Sequence, residues 1–269
     1  MTRISKDTRL CISLAGRPGN FGTRFHNALY EDLNLDYVYK AFTTNDLRAA
    51  IGGVRALGIR GCAVSMPFKE ACIEFLDELD PSAAVIGSVN TIVNEDGFLR
   101  AYNTDSIAVA KLLEGVDPAS TFLLRGSGGM AKAVAFALRD AGFRSGTIVA
   151  RNEGAGRALA QACGYAWRPD LDSAGADLLV NVTPLGMAGA PEASALAFPP
   201  QSIERAQTVF DVVALPPETP LIRHARQLGK RVITGAEVAV LQAVEQFVLY
   251  TGVRPTGEQI ERAAALARG

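Results

Sequence analysis

Histidine and cysteine are scarce in this chain, with two of the first and four of the second in 269 residues. His26 and His224 alone do not make a zinc site, which takes four N, S or O ligands, so no metal is expected. Cys11, Cys62, Cys72 and Cys163 show no C-x-x-C spacing and no framework pattern. Free thiols in a reducing cytoplasm are the expectation. An excess of either charge is missing too: 27 basic residues face 28 acidic ones. That balance argues against nucleic acid as a partner. The opening MTRISKDTR is polar, and the apolar run after it, Leu10–Ala15, is too short for a signal segment or a membrane span. Neither tandem repeats, low-complexity tracts nor an interface pattern stand out, so a soluble monomer or homodimer without a membrane partner is expected. What is present is ordinary for a globular protein, 48% apolar and 20% charged, and enough for a large core or two modest domains.

Apolar runs and amphipathic stretches alternate from end to end, which predicts α/β architecture. In the first part, strands are expected at Leu10–Ala15, Tyr37–Phe42, Gly61–Ser65 and Ser88–Val93. Helices are expected at Thr23–Leu33 and from an N-cap at Thr44 to Leu57, and Pro67 suits the first turn of another. Glu95-Asp96-Gly97 reads as a turn, and Asn103-Thr104-Asp105 as the start of a helix and a domain boundary. The second part repeats more cleanly. Strands are expected at Thr121–Leu124, Gly146–Ala150, Asp177–Val182, Thr208–Val213 and Arg231–Thr234, with helices at Ala131–Ala141, Gly156–Cys163 and Thr219–Leu228. Helices at Ala236–Thr251 and Gly257–Ala267 close the chain. The Gly-, Pro- and Ala-rich stretch Gly186–Pro200 reads as a mobile surface loop.

The segment RGSGGMAKA (125–133) follows an expected strand and opens an expected helix, the context of a dinucleotide fingerprint. Gly126 would allow the tight turn, and Gly128 a close approach of pyrophosphate to backbone. The helix N-terminus adds unpaired N–H groups and partial positive charge. The third glycine of G-x-G-x-x-G is replaced by Ala131. At the end of the next strand an NAD site wants a carboxylate, but this chain has Arg151, with Arg157 a turn later. A guanidinium suits a 2′-phosphate, so NADP(H) is favoured and NAD is the second candidate. The bland alternative is a surface arginine beside Glu153. Lys69, in MPFKE after the third strand, is placed where ligands of α/β sheets bind, or else pairs with Glu70 or Glu74. Asp105 is a carboxylate partner for it, or only a helix cap.

These segments, in this order, resemble the shikimate dehydrogenases and their shikimate-dehydrogenase-like relatives over nearly the whole chain. The resemblance rests on MPFKE, GSVNTI, NTD, GSGG, NVTPLGM (181–187), DVVALPPETPL (211–221) and VLQAVEQF. It implies an N-terminal α/β substrate domain, residues 1–103 completed by helices 236–269. It also implies a Rossmann-type NADP-binding domain, residues 104–235, with the active site in the cleft between the two. Lys69 and Asp105 would be the catalytic dyad, and Asn90 and Gln242 would hold ring hydroxyls. The cofactor would meet Gly126, Ser127, Gly128, Gly129, Met130 and Arg151, then Thr183 and Met187, with Gly235 near the nicotinamide. The family's Ser-x-Ser-Pro element is replaced here by NFGTRFHN, with Asn20 and Gly22 at the serine positions. Ser65 keeps a hydroxyl where threonine is usual; Ala63 and Ala214 replace an asparagine and a tyrosine. Asn20, Thr23 or Arg24 would then supply the carboxylate contacts, with Ser65 the remaining substrate contact, and the departures resemble the shikimate-dehydrogenase-like branch.

The implied activity is NADP-dependent, reversible oxidation of a secondary alcohol on shikimate or a related carboxylated carbocycle. The alternatives are quinate or another shikimate-like substrate on the same scaffold, and a non-catalytic NADP(H)-binding regulator.

Overall fold

The structure is a computed structural model that describes residues 4–171 and 175–268. It divides into two compact units, Met1–Thr104 with Val240–Gly269, and Asp105–Ala239. Through the first unit the chain runs β1 (Arg9–Leu14), α1 (Phe21–Asp32), β2 (Tyr37–Phe42), α2 (Leu47–Ala56), β3 (Gly61–Val64) and α3 (Phe68–Ala71). A 3-10 turn at Ile73–Phe75 leads to β4 (Glu78–Leu79), α4 (Pro81–Ala84), β5 (Thr91–Glu95) and β6 (Phe98–Tyr102), and α5 (Thr104–Leu112) then opens the second unit. The second unit holds β7 (Phe122–Arg125), α6 (Gly129–Asp140), β8 (Gly146–Val149), α7 (Glu153–Cys163), β9 (Ala166–Arg168) and β10 (Leu178–Asn181). It continues with α8 (Pro200–Arg205), β11 (Thr208–Asp211), α9 (Pro220–Gln227) and β12 (Arg231–Thr234); α10 (Gly235–Thr251) and α11 (Gly257–Arg268) end the chain.

The first unit's sheet has the order β2-β1-β3-β5-β6-β4. β1 is parallel to β2 and β3, while β5 is antiparallel to β3 and β6. Strand alternation sorts its two faces. Cys11 packs with Phe25, Phe247 and Tyr250 of α1 and α10, whereas Ile12 and Leu14 pack with Ile51 and Val54 of α2. Gly61 is glycine because a Cβ there would lie 2.3 Å from the Tyr250 ring. All four cysteines are free and buried, and burial pushes the Cys11 thiol up to about 12.

Several boundaries differ from expectation. Asp46, not Thr44, caps α2, its carboxylate accepting from the Ala49 N–H, while Thr44 Oγ1 accepts from the Asp46 N–H. Pro67 sits at the N-cap of α3 rather than in its first turn. Strand β5 starts three residues later than Ser88: the Val89 N–H donates to Lys69 O of α3 instead of to a strand. β6 was not anticipated, although the Asp96-Gly97 turn, with φ of 52° and 91°, is the chemistry that returns a hairpin. Asn152 caps α7, which therefore begins at Glu153 instead of Gly156. The stretch Gly186–Pro200 is fastened rather than loose: the Gly186 N–H donates to Glu192 O and the Ala188 N–H to Leu215 O. Ala197 and Phe198 are sunk in the core below it.

His26 is a core residue, fully buried, its ring stacked 4.4 Å from Tyr39 at 6°. Neither ring nitrogen has a hydrogen-bond partner among the described residues. Burial lowers its pKa to about 3, which Gln246 nearby only partly opposes. A buried neutral imidazole stabilises the fold above the free value of 6.5. That stability is lost as pH falls toward 3, because the unfolded chain binds the proton that the core refuses. The slope contributed is at most about 1.4 kcal/mol per pH unit. Urea melts at about pH 6.5 and pH 5 are expected to show a smaller acid loss in His26→Phe than in the parent; equal losses would contradict this.

The second unit's sheet is wholly parallel in the order β12-β11-β10-β7-β8-β9. This is a doubly wound Rossmann-type sheet. Its strand order reverses between β7 and β10, and ligands of such sheets bind beyond the carboxyl ends of the strands at that switch point.

Candidate active site

At that switch point lies a cavity of about 680 Å³. Gly126, Ser127, Gly128, Arg151 and Thr183 line it, and so do Arg125, Asn152, Asp170, Val182 and Glu192. Gly126 has φ of 131°, and a Cβ there would lie 2.7 Å from Val182 Cγ2. Only glycine fits. A Cβ on Gly128 or Gly129 would meet no protein atom within 4 Å, so glycine there leaves open the space above the α6 N-terminus. No side chain caps that helix, and its first N–H groups are available to an anion. Open cradle, uncapped helix and two lining arginines all fit a dinucleotide.

The other expected cofactor residues are placed differently. Gly129 and Met130 form the first turn of α6, and Met187 is 40% exposed; none of the three lines the cavity. Nor does Gly235, which is the first residue of α10 and packs against the backbone after β11: a Cβ would fall 2.3 Å from Val212 O. Arg157 is already engaged, by Glu153 at 2.7 Å and by the Trp167 ring at 4.2 Å.

Thr183 is held at the cavity by a buried brace. Its N–H and Oγ1 both donate to Asn181 Oδ1, at 3.1 and 2.6 Å. Asn181 Nδ2 donates to Asp211 Oδ1 at 2.9 Å, and Thr219 Oγ1 donates to Asp211 Oδ2 at 2.7 Å. Asn181, Asp211 and Thr219 are completely buried. Burial raises the Asp211 pKa, and the bonds from Thr219, Val213 and Asn181 work against it. A sequence signal for this brace exists: Asn181 and Asp211 each end a fully buried strand directly after apolar residues, LLVN and TVFD.

In the first unit, Ser65, Lys69 and Asn90 gather at one end of the sheet. The Val64 N–H donates to Asn90 O at 2.8 Å, just before Ser65. The Val89 N–H donates to Lys69 O at 2.8 Å, tying α3 to the residue beside Asn90. Asn90 is 2% exposed. Its Oδ1 accepts from the Thr104 N–H and from Thr91 Oγ1, each at 2.8 Å. Because a backbone N–H can only donate, Oδ1 is fixed as the acceptor and the amide cannot be turned over. Asn90 Nδ2 then has no partner among the described residues. A buried, unused donor costs about 1–3 kcal/mol; His26, Tyr30 and Tyr250 of the aromatic core hold unpartnered polar atoms too, but Asn90 Nδ2 is the one at the sheet end with Ser65 and Lys69. Asp105 follows Thr104 in the chain and lies in the first turn of α5.

Gln242 is half-buried on α10. One turn further on is Gln246, which sequence reasoning missed: 4% exposed, its Nε2 donates to Asn90 O and Thr91 Oγ1, both at 3.1 Å. Its spacing of four from Gln242 puts the two amides on one helix face. Asn20 is exposed at the N-cap of α1, where its side chain caps nothing. Ser65 is exposed beyond β3. Among the described residues no group of three His, Cys, Asp or Glu could hold a metal, and no helix is long and apolar enough to cross a membrane.

The sequence model for the shikimate dehydrogenase substrate binding domain matches residues 21–92. The chain is 59% identical over 267 residues to a shikimate dehydrogenase-like protein of Haemophilus influenzae, covering 98% of each. It is 40% identical over 271 residues to the NADP(+) shikimate dehydrogenase of Moorella thermoacetica, covering 94% of this chain and 91% of that one. A solved shikimate 5-dehydrogenase of Thermus thermophilus, in complex with NADP(H) and shikimate, has a TM-score of 0.86 at 32% identity, covering 96% of this chain and 99% of the other. With the parallel switch-point sheet, the glycine cradle and this near full-length similarity, the chain belongs to the shikimate dehydrogenase family.

Proposed function

We propose that this chain is an NADP-dependent alcohol oxidoreductase that interconverts shikimate, or a closely related cyclic hydroxy acid, and the corresponding 3-dehydro ketone. The relatives' names supply the substrate class and the cofactor, and a solved quinate dehydrogenase of Corynebacterium glutamicum in complex with NAD makes NAD the second candidate. The observation that carries the reading onto this chain's own residues is Asn90, whose buried Nδ2 has no partner among the described residues and would donate to a substrate hydroxyl.

NADP supplies the hydride acceptor when bound. The protein's part is to hold the alcohol and move its proton. Lys69 takes the hydroxyl proton as the carbon–hydrogen bond breaks, and returns it in the reverse direction. The Asp105 carboxylate orients the ammonium and steadies its charge. Gln242 donates to a second ring hydroxyl, and Asn20 and Ser65 contact the substrate at its carboxylate side. Gly126, Ser127, Gly128, Arg151 and Thr183 hold the cofactor, with Gly129 and Met130 offering helix N–H groups. We further propose a cytoplasmic monomer or homodimer.

A panel of shikimate, quinate and simpler cyclic hydroxy acids, each with NADP and with NAD, tests this by absorbance of the reduced cofactor. Shikimate or its nearest analogue with NADP is expected to give the fastest reduction. No reduction with any pair would sink the reading.

A further inference from the structure

The expected second cation of the NADP site, Arg157, is engaged elsewhere, paired with Glu153 and stacked on Trp167. Arg125 was not anticipated in that role. It ends the apolar strand β7, directly before the glycine turn, and lines the same cavity as Arg151. It is half-buried, whereas Arg151 is exposed at the rim. One terminal nitrogen of Arg125 donates to Ala197 O, which orients the guanidinium and leaves the rest of its five-donor fork for other partners. Neither Arg125 nor Arg151 forms a salt bridge among the described residues, and the acids on the lining are Asp170 and Glu192.

We propose that Arg125 is a specificity-determining residue that grips the adenosine 2′-phosphate of NADP together with Arg151. This rests on the NADP reading above. The pyrophosphate is served by the α6 N-terminus, so the two guanidiniums are the groups left for the third phosphate. Their electrostatics agree. Burial first, and the Arg151 charge second, pull Arg125 below the usual arginine value, while Glu192 acts in the opposite direction. Two like charges facing one cavity repel, and a dianionic phosphate between them turns that repulsion into two charge-assisted contacts. The half-buried member is the stronger of the pair, because its field is less screened by water.

The test is calorimetric titration of parent, Arg125→Gln and Arg125→Lys with NADPH, NADH, 2′,5′-ADP and 5′-AMP. Arg125→Gln is expected to weaken NADPH and 2′,5′-ADP about tenfold or more, with NADH and 5′-AMP unchanged, and Arg125→Lys to fall between. The unchanged ligands report that the cavity is intact. Equal weakening of all four would overturn the proposal, since Arg125 would then serve the loop at Ala197 or the adenosine as a whole. Unchanged NADPH affinity would overturn it as well. A parent protein that binds neither NADPH nor NADH would instead bring down the cofactor reading, and this proposal with it.

Discussion

Lys69→Ala is expected to lower kcat by about 100- to 10,000-fold, the range a positioned proton-transfer group contributes, while NADPH affinity stays at the parent value. Two features make the effect chemical rather than structural. The tie between α3 and the segment before Asn90 runs through the Lys69 carbonyl, which accepts from the Val89 N–H, and alanine keeps that carbonyl. The Lys69 side chain is half-buried and is absent from the lining of the dinucleotide cavity, so its truncation leaves Asn90 and the cofactor groove in place. Steady-state kinetics with shikimate and NADP, with NADPH fluorescence titration and a thermal melt on the same sample, check all three points. Parent-level turnover in Lys69→Ala would remove Lys69 from the mechanism. A parallel loss of NADPH affinity would mean that the residue supports the fold.

The second large effect is on stability. Gly235→Ala is expected to destabilise the protein by about 3 kcal/mol, the upper range for overpacking, which corresponds to roughly 10 °C in Tm. The added Cβ would lie 2.3 Å from Val212 O and 2.4 Å from Val213 C. Those are backbone atoms, so no rotamer change relieves the overlap. They are also pinned: the Val212 N–H donates to Asn181 O at 3.0 Å, and the Val213 N–H donates to Asp211 Oδ1 at 3.1 Å. Gly52→Ala, inside α2 with nothing within 4 Å of the new Cβ, is the control, and should be neutral or gain up to about 1 kcal/mol. Melts without cofactor decide the matter. An unchanged Tm for Gly235→Ala would leave contact with the nicotinamide as the remaining reason for glycine there.

These two residues differ in how far they could be read in advance. Lys69 stands in a short motif whose neighbours resemble a known family, and its placement just after β3 follows from strand and proline signals within ten residues. Gly235 reads in the sequence as a cofactor contact, and the protein atoms that themselves demand glycine there belong to Val212 and Val213. The glycine turn at 126–128 was legible because its chemistry is local: a strand, a positive φ and a helix start. Arg125 could have been noticed as a lone charge closing an apolar strand. Nothing local, however, says that Arg157, six residues beyond Arg151, stacks on Trp167 and leaves the cavity to Arg125.

By itself the sequence determined the alternation of strands and helices, the dinucleotide fingerprint and the family. These depend on side-chain periodicity, turn chemistry and ordered motifs, all of which act over a few residues. Only the tertiary structure decided which polar groups are spent and which are left over. Gln246 meets Asn90 across 156 positions and Asn181 meets Asp211 across 30. In a buried setting each donor must find its partner wherever the fold brings one. Asn90 Nδ2, without a partner among the described residues, stands out as a candidate contact only once those long-range bonds are in place.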